Sequence, residues 1–166
     1  MAQGILDPKN YAPDFFDVIV SIEVIEHINN PKEEIQNFGT ILRHGGVVYL
    51  TTPNFNSISR IILKEKWNVL GYPEHLCYYT PGTITRLFND HHFKKLSMET
   101  TGISVTRMKS SLSGSHETGI ASTSTDEKLR RTLESNFILR AMKSLANSTL
   151  TFTRRGDNLK ATFVKE

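Results

Sequence analysis

The feature that most constrains this chain is a change of hydrophobic period within its first fifty residues. Phe15-Phe16-Asp17-Val18-Ile19-Val20 is almost wholly apolar and rich in β-branched residues, the pattern of a strand buried on both faces of a parallel sheet. The period then lengthens. Pro31 suits the first position of a helix, Glu33 and Glu34 complement its N-terminal dipole, and Ile35, Phe38, Ile41 and Leu42 recur at helical spacing until Gly45 ends the run. Val47-Val48-Tyr49-Leu50 returns to strand character and stops at Thr51-Thr52-Pro53-Asn54, where a proline removes a ladder donor. Strand, helix, strand is a βαβ unit with a right-handed crossover, so an all-helical bundle and an antiparallel sandwich are both excluded.

The remainder is less regular. Residues 57–66 fit a short helix, and Thr80-Pro81-Gly82-Thr83 opens another with Ile84, Leu87 and Phe88 on one face and Asn89-Asp90 near its end. The loop Trp67 to Tyr79 lies between them, and its Trp67, Tyr72, Tyr78 and Tyr79 are candidates for either packing or an acceptor pocket. Lys95 to Met108 should hold at least one strand, weakened by Gly102. Residues 109–125 read as a Ser/Thr/Gly loop, followed by a basic amphipathic helix from Ser124 through Leu129, Leu133, Phe137, Ala141 and Leu145. Leu150 to Thr153 and Leu159 to Val164 read as a hairpin around Gly156-Asp157-Asn158. Arg155-Gly156-Asp157 spells an adhesion tripeptide, but in a chain without an export signal it is read as the turn alone.

With 166 residues and 38% hydrophobic side chains, a single packed domain is expected. No stretch approaches the roughly 18 apolar residues of a membrane span, and the start lacks the features of an export signal, so the cytoplasm is expected and no membrane partner. One cysteine, Cys77, closes no internal disulfide. The net charge of +3 is unevenly spread: residues 1–50 carry three Lys/Arg against seven Asp/Glu. The C-terminal part is therefore basic, and Arg130, Arg131, Arg140 and Lys143 could face an acidic acceptor, RNA included.

Open α/β sheets bind ligands beyond the C-terminal ends of their strands, here Ser21-Ile22-Glu23-Val24-Ile25-Glu26-His27-Ile28 and Thr52-Pro53-Asn54. On the first turn of a helix, Glu23, Glu26 and His27 would project to one side and could converge on a divalent cation, with His75 joining from the later loop. The alternative is that Glu26 and His27 merely cap and pack a strand-to-helix junction. Without a metal, His27 or His75 could act as general base, since an imidazole titrates near neutrality.

Taken in order, Phe16-Asp17-Val18-Ile19, Ile22-Glu23-Val24-Ile25-Glu26-His27, Leu42-Arg43-His44-Gly45-Gly46-Val47-Val48, Thr52-Pro53-Asn54, Glu74-His75-Leu76 and Tyr79-Thr80-Pro81 resemble the C-terminal half of a class I S-adenosylmethionine-dependent methyltransferase. The likeness runs from the fourth core strand onward, over about residues 3–108, with Leu159 to Val164 as the last strand. It is greatest to the branch holding the ubiquinone-biosynthesis O-methyltransferases. The resemblance implies a Rossmann-like α/β fold truncated at its N-terminus: residues 1–108 as the half core, 109–155 as a loop and basic helical insert, and 156–166 as the last strand. It also implies S-adenosylmethionine as cofactor, with Gly4, Ile5 and Leu6 at the adenine and Ser21, Ile22 and Glu23 at the methionine end. Similar Glu-x-x-Glu-His sets hold a metal in such enzymes, so Glu23, Glu26 and His27 are the implied ligands of Mg²⁺ or Mn²⁺, while His27 and His75 stay the catalytic candidates for the case without a metal.

Two departures matter. Ile5 stands where relatives usually carry an Asp for the adenine amino group. Neither a glycine-rich turn nor a ribose-binding acid precedes Gly4, so the chain is expected to be a fragment. The implied function is methyl transfer from S-adenosylmethionine to an oxygen of a small-molecule or RNA acceptor, with the activity of the isolated chain left open. The alternative is a non-catalytic interaction module built on half the fold. Either way, a strand meant for the middle of a sheet would present an apolar edge, and self-association through it is expected.

Overall fold

The computed structural model describes residues 6–102, 145 and 148–166. Four strands form one sheet: β1 (Phe16–Ile22), β2 (Leu42–Pro53), β3 (Phe93–Thr101) and β4 (Asn158–Lys165), in the order β1-β2-β4-β3. β1 and β2 run parallel, as expected of strands joined by a helix, whereas β4 runs antiparallel to both β2 and β3. The helices are α1 (Pro31–Ile41), α2 (Ile58–Leu63) and α3 (Pro81–Asn89). Among the described residues no helix is long and apolar enough to cross a membrane.

Local chemistry accounts for the helix ends. Pro31 begins α1 with Glu33 and Glu34 in its first turn. Ser57 caps α2 by accepting from the Arg60 amide at 3.1 Å. Thr80 caps α3 in a reciprocal box with Thr83. α1 stops at Ile41, short of the expected end at Gly45, because Leu42 is already extended (φ −86°, ψ 133°) and pairs with Phe16. β2 is thus twelve residues long, not four. Gly45, at φ +72°, sits in the irregular start of that strand instead of closing the helix.

One face of the sheet carries the core. Val48 and Leu50 of β2 and Leu159, Ala161 and Phe163 of β4 meet Ile35 and Phe38 of α1 and Ile84 and Phe88 of α3. Phe88 stacks on Phe163 with centroids 4.0 Å apart. Each such side chain contributes about 1.5–3 kcal/mol by leaving water. Ile19 packs against this core and Ser21 is buried, so alternate residues of β1 point inward.

The other half of β1 does not follow the expectation of burial on both faces. It is an edge strand, and its Val18, Val20 and Ile22 are 50%, 60% and 58% exposed. An apolar β-branched run specifies a strand but says nothing of whether both its neighbours are present.

The expected C-terminal hairpin is also replaced. Residues 148–153 are helical, not a strand, and β4 pairs with β2 and β3. Threonine hydroxyls hold that turn from within: Thr153 Oγ1 donates to the Thr149 carbonyl at 2.8 Å, a bond that a β-propensity reading of Leu-Thr-Phe-Thr does not weigh. The connector after it is clamped by Asn54, whose Nδ2 donates to the carbonyls of Arg154 and Gly156 at 3.2 and 2.7 Å. Gly156 and Asp157 are buried, so the adhesion-like tripeptide is a connector and is not presented to solvent. A Cβ at Gly156 would lie 2.4 Å from the backbone of Thr100, hence the glycine. The expected loop and the body of the basic helix, including Arg130, Arg131, Arg140 and Lys143, lie outside the described residues.

Candidate functional site

Beyond the C-terminal ends of β1 and β2 the chain makes two rims. They meet: Ser21 pairs with Leu50, Ile22 with Thr51, and the Glu23 amide donates to the Thr51 carbonyl at 2.9 Å. Adjacent parallel strand ends open the crevice in which α/β sheets hold ligands.

The first rim does not continue as a regular helix. Glu23 adopts φ +51°, and only Ile25–His27 form a short 3-10 turn. The left-handed backbone swings Glu23 toward β2, where its Oε1 accepts from Thr51 Oγ1 at 2.9 Å. Glu23 therefore does not share a face with Glu26 and His27, and the expected ligand set of Glu23, Glu26 and His27 is corrected. The groups that converge are Glu26, His27 and His75, each offering one ligand atom within 4.8 Å of the others.

His75 reaches this place through the backbone. The Leu76 and Cys77 amides donate to the Glu26 carbonyl at 2.9 and 3.0 Å, pinning the loop to the 3-10 turn. The two imidazole centroids end 4.8 Å apart. His27 Nδ1 bonds the Glu74 carbonyl, and His75 Nδ1 bonds the Val69 carbonyl at 2.6 Å. A carbonyl can only accept, so each Nδ1 carries the proton, and in the neutral ring each Nε2 holds a free lone pair. Both tautomers are thereby set for accepting a proton or a cation.

Glu26 is 2% exposed. Its Oε2 accepts from Thr52 Oγ1 at 2.9 Å, and its Oε1 has no hydrogen-bond donor among the described residues, the nearest positive candidate being His27 Nε2 at 3.9 Å. Burial raises its pKa above the ordinary 4.5, only partly offset by hydrogen bonds from the backbone and Thr52. His27 is exposed and His75 half-buried, so the cluster opens to solvent on one side.

The other expected site residues are placed as follows. Ser21 is buried at the rim, and Ile22 and Glu23 are exposed beside it. Leu6 packs against the core, while Gly4 and Ile5 lie outside the described residues. Trp67 is buried with Leu63 and Val69 in a second small cluster, which makes it a packing residue. Tyr79 is buried, donates to the Ile25 carbonyl at 3.4 Å, and is held protonated because burial pushes its phenol far above the ordinary range. Cys77 is half-buried against the core. Thr52, which anchors Glu26, was visible only as part of the second rim, and the Val69 and Glu74 carbonyls carry no side-chain signal at all.

Comparison with known proteins is consistent with this geometry. Residues 2–98 match the family described as Methyltransferase domain. The chain is 41% identical over 46 residues to the mitochondrial ubiquinone biosynthesis O-methyltransferase of Dictyostelium discoideum, covering 28% of this chain and 14% of that protein. It is 31% identical over 81 residues to the ubiquinone biosynthesis O-methyltransferase of Aeromonas salmonicida, covering 45% of this chain and 34% of that one. The chain thus aligns with about a third of the length of one of these curated relatives and about a seventh of the other. Among solved structures, a SAM-dependent methyltransferase from Archaeoglobus fulgidus superposes with a TM-score of 0.55 at 13% identity, over 95% of this chain and 63% of the other, a likeness of fold.

Proposed function

We propose, from the premise that this chain belongs to the methyltransferase-domain family, that it forms part of an S-adenosylmethionine-dependent O-methyltransferase whose acceptor is activated at Glu26, His27 and His75. The observation that carries the reading is the convergence of these three groups within 4.8 Å beyond the ends of two parallel strands. Bound S-adenosylmethionine supplies an electrophilic methyl group on a sulfonium, already a good leaving group. Ser21, Ile22 and Glu23 border its methionine end in this reading. His27, the exposed member, takes the hydroxyl proton of the acceptor at Nε2, and Glu74 steadies the resulting imidazolium through its carbonyl at Nδ1. His75, in ring contact, orients His27 and offers the second Nε2.

A divalent cation is a further element of the proposal, favoured by one observation. Glu26 Oε1 is buried without a hydrogen-bond donor among the described residues, and it faces two imidazoles whose Nε2 lone pairs are free. Two nitrogens and one carboxylate oxygen fit a transition ion such as Mn²⁺ better than Mg²⁺, which prefers oxygen. Held by Glu26, His27 and His75, it would occupy the Nε2 of His27 and take the place of the general base, lowering the pKa of an acceptor hydroxyl directly. The exposed edge of β1 supports a second element, association with another copy of the chain.

Calorimetry tests the core of the reading. Saturable binding of S-adenosylhomocysteine is expected, with Mn²⁺ binding lost in Glu26→Ala. Absence of nucleoside binding would leave the non-catalytic module as the better account.

A further inference from the structure

α2 runs into a 3-10 turn at Lys64–Lys66, and this junction opens a cleft of about 490 Å³ lined by Arg60, Ile61, Lys64, Glu65 and Leu70. Methyl transfer as read above makes no use of it. We propose that the cleft binds an amphiphilic anion, a phosphate or carboxylate head on an aliphatic chain.

The charge comes from Arg60 and Lys64 against the single carboxylate of Glu65, a surplus of one positive charge along the lining. Arg60 differs from an ordinary solvated basic side chain. Its guanidinium lies 4.2 Å over the Phe55 ring, and its Nε is buried with no hydrogen-bond partner among the described residues. Arg60 is half-exposed, so its guanidinium reaches the cleft while its Nε–H lacks an acceptor, an arrangement that an anion would complete. Lys64 has φ 51° and ψ −118°, a backbone state that a non-glycine residue adopts at a cost and that tends to occur where a side chain must be held for a ligand. The aliphatic half of the recognition is equally visible: Ile61 and Leu70, in the same lining, are 43% and 38% exposed. Cleft walls that pair two cations with two wetted aliphatic chains suit a ligand with both characters. Trp67 lies directly beneath, its amide donating to the Lys64 carbonyl at 3.3 Å and its own carbonyl accepting from Leu70 at 2.9 Å.

As the only tryptophan, Trp67 reports on the cleft by its fluorescence. The full chain is titrated with decyl phosphate below its micelle concentration, with decanol and inorganic phosphate as the separate halves, and with vesicles of phosphatidylglycerol or phosphatidylcholine. A saturable response to decyl phosphate, at least about tenfold tighter than to either half, is expected. Arg60→Gln should weaken it by about tenfold or more, the scale of a lost charge-assisted bond. Lys64→Gly, which suits the backbone at that position, should weaken it similarly, and Glu65→Gln should tighten it. Circular dichroism verifies that the variants fold. A response only to phosphatidylglycerol vesicles, abolished by the same variants, would support the same chemistry with a bilayer lipid as its source. Decanol binding as tightly as decyl phosphate, no response in any arm, or unchanged binding by folded Arg60→Gln and Lys64→Gly would overturn the proposal. None of these outcomes depends on whether the chain binds S-adenosylhomocysteine.

Discussion

Glu26 holds the buried carboxylate of the site, and its two oxygens have different fates. One is bonded by Thr52; the other has no donor among the described residues. Because burial raises its pKa, the folded chain binds its proton more tightly than the unfolded chain does. The associated stability is present below the ordinary 4.5 and is lost as pH rises through the folded pKa. Glu26→Gln, neutral and of the same shape, should therefore gain stability over wild type as pH is raised from about 4 to 8, measured as urea midpoints. A difference that stays constant with pH would contradict the shift. The sequence singles out Glu26 and His27 by residue type and by their position after a strand, and His75 by residue type and its place in a later loop. Their grouping is less legible: the spacing of 23, 26 and 27 suggests one helical face, but a positive φ at Glu23 breaks it. Likewise, amide bonds to the Glu26 carbonyl bring in a residue 49 positions further on, and backbone amides look alike in every sequence.

At the level of elements, what is legible depends on whether the signal is local. α3 is the clearest case, since Thr80, Pro81 and Thr83 spell its start and Ile84 and Phe88 its buried face. Thr80→Ala removes the hydroxyl that accepts from the Thr83 amide, while the bond from the residue-80 amide to Thr83 Oγ1 remains, and should cost about 0.5–2 kcal/mol in chemical denaturation without altering the sheet. An unchanged midpoint would mean that packing of Phe88 against Phe163 alone holds the helix. β2 and the segment at 148–153 are the contrasting cases. The first extends beyond its β-branched centre because Phe16 recruits Leu42, and the second is helical despite three threonines in six residues. Both outcomes rest on partners distant in sequence or on hydroxyl-to-carbonyl bonds, neither of which a propensity scale counts.

For the molecule as a whole, the exposed side of β1 is the place where the proposed association between copies is tested. Val18, Val20 and Ile22 alternate along one face of an edge strand, the arrangement that natural sheets usually blunt with charge. Val20→Lys should lower the weight-average mass seen by light scattering at a given concentration while leaving the circular dichroism unchanged. Equal masses for both proteins would argue against association through this edge. The class of fold could be read from the chain because a βαβ unit and its flanking motifs are contiguous, and an apolar edge is expected from the same motifs; the exposure of Val18, Val20 and Ile22 could not, because exposure is a property of the assembled sheet. The position of β4 has a consequence of its own. Lodged between β2 and β3, it is made from nearly the last residues of the chain. Among the described residues β4 is the one strand that pairs with β3, so during synthesis that pairing waits until residues 158–165 leave the ribosome, and this part of the sheet closes by insertion at its middle and not by growth at its rim.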